Sequence, residues 1–188
     1  MERVQPPTRS WPSWLAEGEM PATTSGEALS FFDGLAPLTV EGLLGRWAGR
    51  QIATGHPMDG LLGGLGWYGK ELIDAETVHP LLFGRRGAAI HAVNPAFMPM
   101  GLVVRHPGFF RRAPVRSLFA ALRPLAWTSR PRARLRLVQH RGIVSAAMIY
   151  DALPIVDHFR AVDSLTVMGV MDLRGMTEPL FFLLTRDE

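Results

Sequence analysis

The feature that most constrains this chain is the pentapeptide Gly45-Arg46-Trp47-Ala48-Gly49, which stands at the head of an alternating segment. Glycines flanking a tryptophan at a strand start suit a chain that must bend tightly while delivering one large ring into a core. From Leu44 the period is two: Arg46, Ala48, Arg50 and Ile52 share one face, and Trp47, Gly49 and Gln51 share the other. The pattern predicts the opening strand of a β-barrel.

The remaining chain supports that expectation with repeated strand and turn signals. Thr54-Gly55-His56-Pro57 reads as a turn before a short helix from Met58 to Leu65, followed by strands at Trp67 to Ile73, Thr77 to Phe83 and Ala88 to Val93. Gly101 to His106 reads as a further strand. Val115, Leu118, Phe119 and Leu122 then recur at helical spacing between Pro114 and Pro124, with Arg111, Arg112, Arg116 and Arg123 around them. Strands are also expected at 134–140, 143–150, 165–173 and 180–186, and Asp151 to Arg160 reads as a loop with one helical turn. Upstream, residues 1–24 are proline-rich and predict an irregular leader pinned by Trp11 and Trp14, before a covering helix from Ser25 to Gly34. Strands without strand-helix alternation predict a mainly β, antiparallel barrel of about 8–10 strands with two or three short helices. Residues 25–188 are expected to form one domain, with halves at 40–98 and 125–186.

Composition bounds the function. The chain has 188 residues, 47% hydrophobic and 20% charged, enough for one well-buried core. It has no cysteine, which excludes disulfides and thiolate metal sites. The start of the chain lacks the apolar core of a signal peptide, and no stretch reaches the roughly 18 apolar residues of a membrane span, so a cytoplasmic location is expected. Of the 20 cationic side chains, Lys70 is the single lysine and the rest are arginine, for a net charge of +3. That modest charge is compatible with weak attraction to a membrane surface and does not call for nucleic acid.

Gly45-Arg46-Trp47-Ala48-Gly49, with Thr54 to Gly60, Gly66-Trp67-Tyr68-Gly69-Lys70 and Val78 to Phe83, resembles the GXWXG domain of bacterial and fungal proteins. The hairpins from about Leu135 to Arg186, including Met148 to Asp151, Asp157-His158-Phe159-Arg160 and Met171 to Gly175, resemble the domain of unknown function that accompanies it. A looser similarity is to lipocalin and fatty-acid-binding barrels, whose first strand also carries Gly-x-Trp and whose late strand sets an arginine near that indole. This resemblance implies a lipocalin-like barrel and leaves Arg174 and Arg186 both open for the arginine.

The expected function is binding of a small hydrophobic molecule, such as a lipid or terpenoid, within the barrel. The alternative is an enzyme on the same scaffold, an isomerase, cyclase or hydrolyase using acid-base chemistry, with Tyr150, Asp157 and His158 as its candidate groups. Candidate ligand-binding residues are Trp47, His56, Trp67, Tyr68, His79, Phe119, Tyr150, His158 and Arg174. The six histidines lack zinc-site spacing, so no metal is expected; haem on one axial histidine is an open alternative. Homodimerisation is compatible with the sequence.

Overall fold

In the computed structural model, which describes residues 11–16 and 20–187, the alternation of the sequence becomes a closed barrel. The strands are β1 (Ala36–Pro37), β2 (Gly45–Ile52), β3 (Trp67–Leu72), β4 (Val78–Phe83), β5 (His91–Ala92), β6 (Ala133–His140), β7 (Ile143–Tyr150), β8 (Ile155–Ala161), β9 (Thr166–Leu173) and β10 (Leu180–Arg186). Eight of them close the wall in the order β8-β7-β6-β4-β3-β2-β10-β9, and β9 pairs back to β8. Every neighbouring pair is antiparallel, while β1 and β5 extend β8 and β4 at their edges. The β4–β6 seam is the thinnest, with the single register pair Val78↔Ala133.

Seven short α-helices accompany the barrel among the described residues, more than the two or three expected: α1 (Ser13–Ala16), α2 (Ser25–Asp33), α3 (Val40–Leu43), α4 (Leu61–Gly64), α5 (Met100–Arg105), α6 (Pro107–Phe110) and α7 (Ala113–Leu122). Segment 101–106, expected as a strand, is the body of α5. It lies between Pro99 and Pro107, and its Val103 is buried in the barrel core with Met100 and Val104 packed beside it, while Leu102 is exposed. The opposite correction applies to 155–161, expected as loop and found as β8. Ile155, Asp157 and Phe159 face the barrel interior and His158 and Arg160 the outside, and polar residues on both faces hid the strand. The strand expected at Ala88 to Val93 shrinks to the two residues of β5.

The two glycines of the pentapeptide do different work. Gly45 has φ 126°, and a Cβ there would lie 2.7 Å from an Arg186 guanidinium nitrogen. A Cβ at Gly49 would fall 2.3 Å from the edge of Trp67, so this residue makes room for a second indole inside the barrel. Between them Trp47 is buried, its Nε1 donating to the Leu43 carbonyl at 2.8 Å. The Arg186 guanidinium lies 4.3 Å from the centre of that ring and donates to the carbonyls of Leu44 (2.7 Å) and Gly42 (3.1 Å). Of the two arginines left open by the sequence, Arg186 is therefore the one that packs on Trp47.

A second apolar layer lies outside the wall. Leu15, Ala28, Phe32 and Leu35 pack on the outward residues Ile52, Met168, Val170, Phe181 and Leu183. Thr24 starts α2 with a capping box, accepting from the Glu27 N–H while the Glu27 carboxylate accepts from the Thr24 N–H. Within the leader, Trp14 meets Phe31 edge-on at 5.6 Å and Ala22 bridges to Ala53; residues 1–10 and 17–19 lie outside the described residues. Arg160 is buried here, stacked on Phe32 at 4.7 Å and donating to the carbonyls of Asp33 and His140.

His158 also faces this layer, stacked on His140 with ring centres 3.8 Å apart. Burial and the neighbouring His140 push the His158 imidazole down to about 4, and burial lowers His140 and His56 as well. A histidine whose folded pKa is depressed is neutral in the native state and takes up its proton in the unfolded one. Its contribution is therefore complete above the unfolded value near 6.5 and is lost as pH falls toward 4. Asp157, discussed below, is shifted the other way by burial and favours the folded state at low pH. Unfolding free energy measured against pH should fall by up to roughly 3 kcal/mol from His158 alone between about pH 6.5 and pH 4. His158→Phe should flatten that fall, and a profile identical to that of the parent would show that the stacked imidazoles do not titrate with unfolding.

Candidate functional site

The site begins with a change of phase in β3. Trp67 faces the interior and Tyr68 the outside, so simple alternation would turn Lys70 outward. The β3–β4 register shifts between Trp67 and Gly69 and again between Gly69 and Glu71, a bulge that re-aims the chain and brings Lys70 inside. Gly69 permits it: its φ is 153°, and a Cβ would lie 1.9 Å from the Trp47 carbonyl oxygen.

Inside, Lys70 Nζ lies 2.8 Å from Asp157 Oδ2 of β8, with both side chains almost wholly removed from solvent. Nζ also donates to the Pro80 carbonyl at 3.2 Å and approaches the Tyr150 hydroxyl at 3.4 Å. Three aromatic faces surround it, with ring centres at 5.0 Å for Phe182, 5.6 Å for Tyr150 and 5.7 Å for Trp67. Apart from the Lys70 contact, the Asp157 carboxylate receives no hydrogen bond among the described residues, and the Trp67 indole N–H has no acceptor there. Burial pushes the Asp157 carboxyl up despite the opposing pull of Lys70, and pushes the Tyr150 phenol well up, so Tyr150 is neutral over the physiological range.

This polar group forms one side of an otherwise apolar cavity of about 50 Å³. Met58, Leu61, Met98, Met100 and Val103 line it from α4, α5 and their approaches, and Leu81, Ile155 and Met171 from the wall. Arg116 Nε donates to the Gly64 carbonyl (2.8 Å), Arg123 to that of Leu65 (3.3 Å) and Arg111 to that of Pro57, so α7 is tied to α4 as one cap.

Of the candidates from sequence, Trp67, Tyr150 and Asp157 converge on this cavity. Trp47 is packed in the core without lining it, and Phe119 sits on α7 against Phe83 at 5.7 Å. Tyr68 points outward and donates to Asp187 at 2.5 Å, and His79 stands opposite Glu71 on β4. His56 accepts from the Met58 N–H at 3.1 Å in the turn before α4. His158 lies on the far side of the wall from Asp157 and Tyr150. Arg174 is exposed after β9, and no ion pair joins it to Asp172 among the described residues. No histidine lines the cavity, and no cluster of metal-ligating side chains occurs among the described residues. The residue missed from sequence is Lys70. Its signal was its uniqueness: one lysine among 20 cationic residues, set in the aromatic strand Trp67-Tyr68-Gly69-Lys70.

Comparison with known proteins agrees with this architecture. The model of the family described as "GXWXG protein" matches residues 30–87, and that of the "Domain of unknown function (DUF4334)" matches residues 131–186. No curated protein matches the chain. Among solved structures, a protein from Thermomonospora curvata is 34% identical, covering 89% of this chain and 90% of its own, with a TM-score of 0.65. With both family models matched in order along one barrel, and that relative aligned over nearly its whole length, the chain belongs to the GXWXG family and carries a DUF4334 domain.

Proposed function

We propose that the barrel binds a small apolar molecule bearing one polar group, with its body among the cap methionines and leucines and its polar end at Lys70, Asp157 and Tyr150. The observation that carries this reading is the buried ion pair at the side of an apolar cavity. Ligand sites are commonly apolar spaces with a few convergent polar groups, and strongly perturbed titratable groups concentrate in them. A volume of about 50 Å³ holds only a few waters, so a larger ligand enters by displacing side chains of the cap. Met58, Met98 and Met100 are suited to this because methionine is unbranched and repacks easily. A second reading, acid-base catalysis on such a molecule, rests on Tyr150 and Asp157 and not on His158, which faces away from the cavity.

The cap also suggests where the ligand comes from. No aspartate or glutamate occurs between Glu76 and Asp151, while that stretch holds twelve arginines. Large apolar side chains are exposed beside them, including Phe109, Leu118, Leu122, Leu125 and Trp127. Arg86, Arg134, Arg136 and Arg141 pair with carboxylates from other parts of the chain, and the other eight make no ion pair among the described residues. Apolar side chains interspersed with such cations suit the interface of an anionic lipid layer. Two copies of this chain meeting through the same face would repel.

Binding is tested with a fluorescent apolar probe and Leu61→Trp, which fills the cavity from the cap. The parent should bind, and the variant should lose most of that affinity while keeping its unfolding midpoint. Equal binding by both, or no binding by the parent to probes of any length, would overturn the reading. For the cap, co-sedimentation should occur with phosphatidylglycerol vesicles and weaken with salt and in the double variant Arg105→Glu, Arg112→Glu. Equal partition into phosphatidylcholine vesicles, or none into either, would contradict an anionic lipid source.

A further inference from the structure

The cavity reading leaves open what polar group Lys70 receives, and the geometry around its amine narrows the choice. Lys70 is already neutralised by Asp157 at 2.8 Å. A carboxylate or phosphate ligand would bring a second negative charge against that side chain in a water-poor space, at a cost that rises steeply as the dielectric falls. A neutral electrophile meets no such penalty. The position also holds the chain's one lysine, where its other cationic positions carry arginine, and a guanidinium neither deprotonates in proteins nor attacks carbon.

We infer that the site takes an apolar aldehyde or ketone and that Lys70 joins it as an imine; this rests on the cavity reading above. The ion pair supplies the proton movements. Lys70 passes one proton to Asp157, whose carboxyl group burial has made more basic, and the free amine attacks the carbonyl carbon. The carbonyl π bond opens onto oxygen, which takes a proton from the nitrogen to give the carbinolamine. Asp157 then protonates that hydroxyl, which leaves as water as the nitrogen lone pair forms the C=N bond. The balance is ammonium, carboxylate and carbonyl in, and protonated imine, carboxylate and water out. Asp157 ends as the counter-ion of the iminium, so the pair that neutralises the resting site also neutralises the product. Tyr150, a neutral phenol 3.4 Å from Nζ, is placed to donate to the carbonyl oxygen.

Because Lys70 is the one lysine, reductive trapping has an internal reference in the N-terminal amine. The protein is incubated with decanal and cyanoborohydride, and alkylation is followed by intact mass and peptide mapping; decanol binding is measured in parallel. Lys70 should be alkylated faster than the N-terminus despite its burial. Tyr150→Phe should slow alkylation of Lys70 on the order of 100-fold, the lower end expected for removing a general acid, with the N-terminal rate unchanged. Lys70→Arg should leave labelling at the N-terminus alone. Labelling of the N-terminus without Lys70, while decanol still binds, would overturn the imine and leave the cavity reading standing. Failure of decanol to bind, with Lys70 unlabelled, would overturn both.

Discussion

The Lys70–Asp157 ion pair is the interaction on which the interior depends. Two opposite charges inside an eight-stranded barrel are costly to desolvate, and an apolar pair of similar volume would pack there at least as well. Removing one partner alone would strand the other and cost about 3–5 kcal/mol. The pair is therefore held by its surroundings: the Pro80 carbonyl, the Tyr150 hydroxyl and three ring faces divide the remaining positions around Nζ. Such a pair adds little to stability, and in the proposed reading it is the polar end of the ligand space.

The family's Gly-x-Trp-x-Gly signature supports this pair from the neighbouring strand, where Trp47 stands opposite Lys70. Gly49 makes room for Trp67, which forms part of the cavity wall, and the carbonyl of Trp47 sits where any side chain at position 69 would have to go. Gly69 then carries the bulge that turns Lys70 inward. The chain of causes runs from the pentapeptide through close backbone approach to the one buried amine. Arg186 and the Leu43 carbonyl fix the Trp47 indole, so the strand that starts the motif is anchored where it enters the wall.

Much of the barrel was legible because its strands follow a period of two with turn residues between them. β7 and β10 fall where alternation placed them, and Trp67, Tyr150 and Asp157 were recognisable as chemistry-bearing residues. What failed to show has physical reasons. β8 carries an aspartate and an arginine that are both buried, one inside the barrel and one outside, and buried charge in a strand reads as loop until its partners are known. Segment 100–105 is apolar and short, a length at which helix and strand patterns are not distinguishable. His158 was grouped with Asp157 by adjacency, yet neighbours along a strand point to opposite faces. Lys70 was hidden by the bulge, which no local pattern announces.

The most direct measurement uses the uniqueness of that lysine. Protein grown with ¹³Cε-labelled lysine should give one NMR resonance, from Lys70. If the ion pair faces the ligand space, the resonance should differ from that of a solvated lysine and should move on titration with decanol, saturating with the binding curve. A resonance at the solvated position, or one indifferent to a saturating apolar ligand, would contradict a binding site built around Lys70 and Asp157.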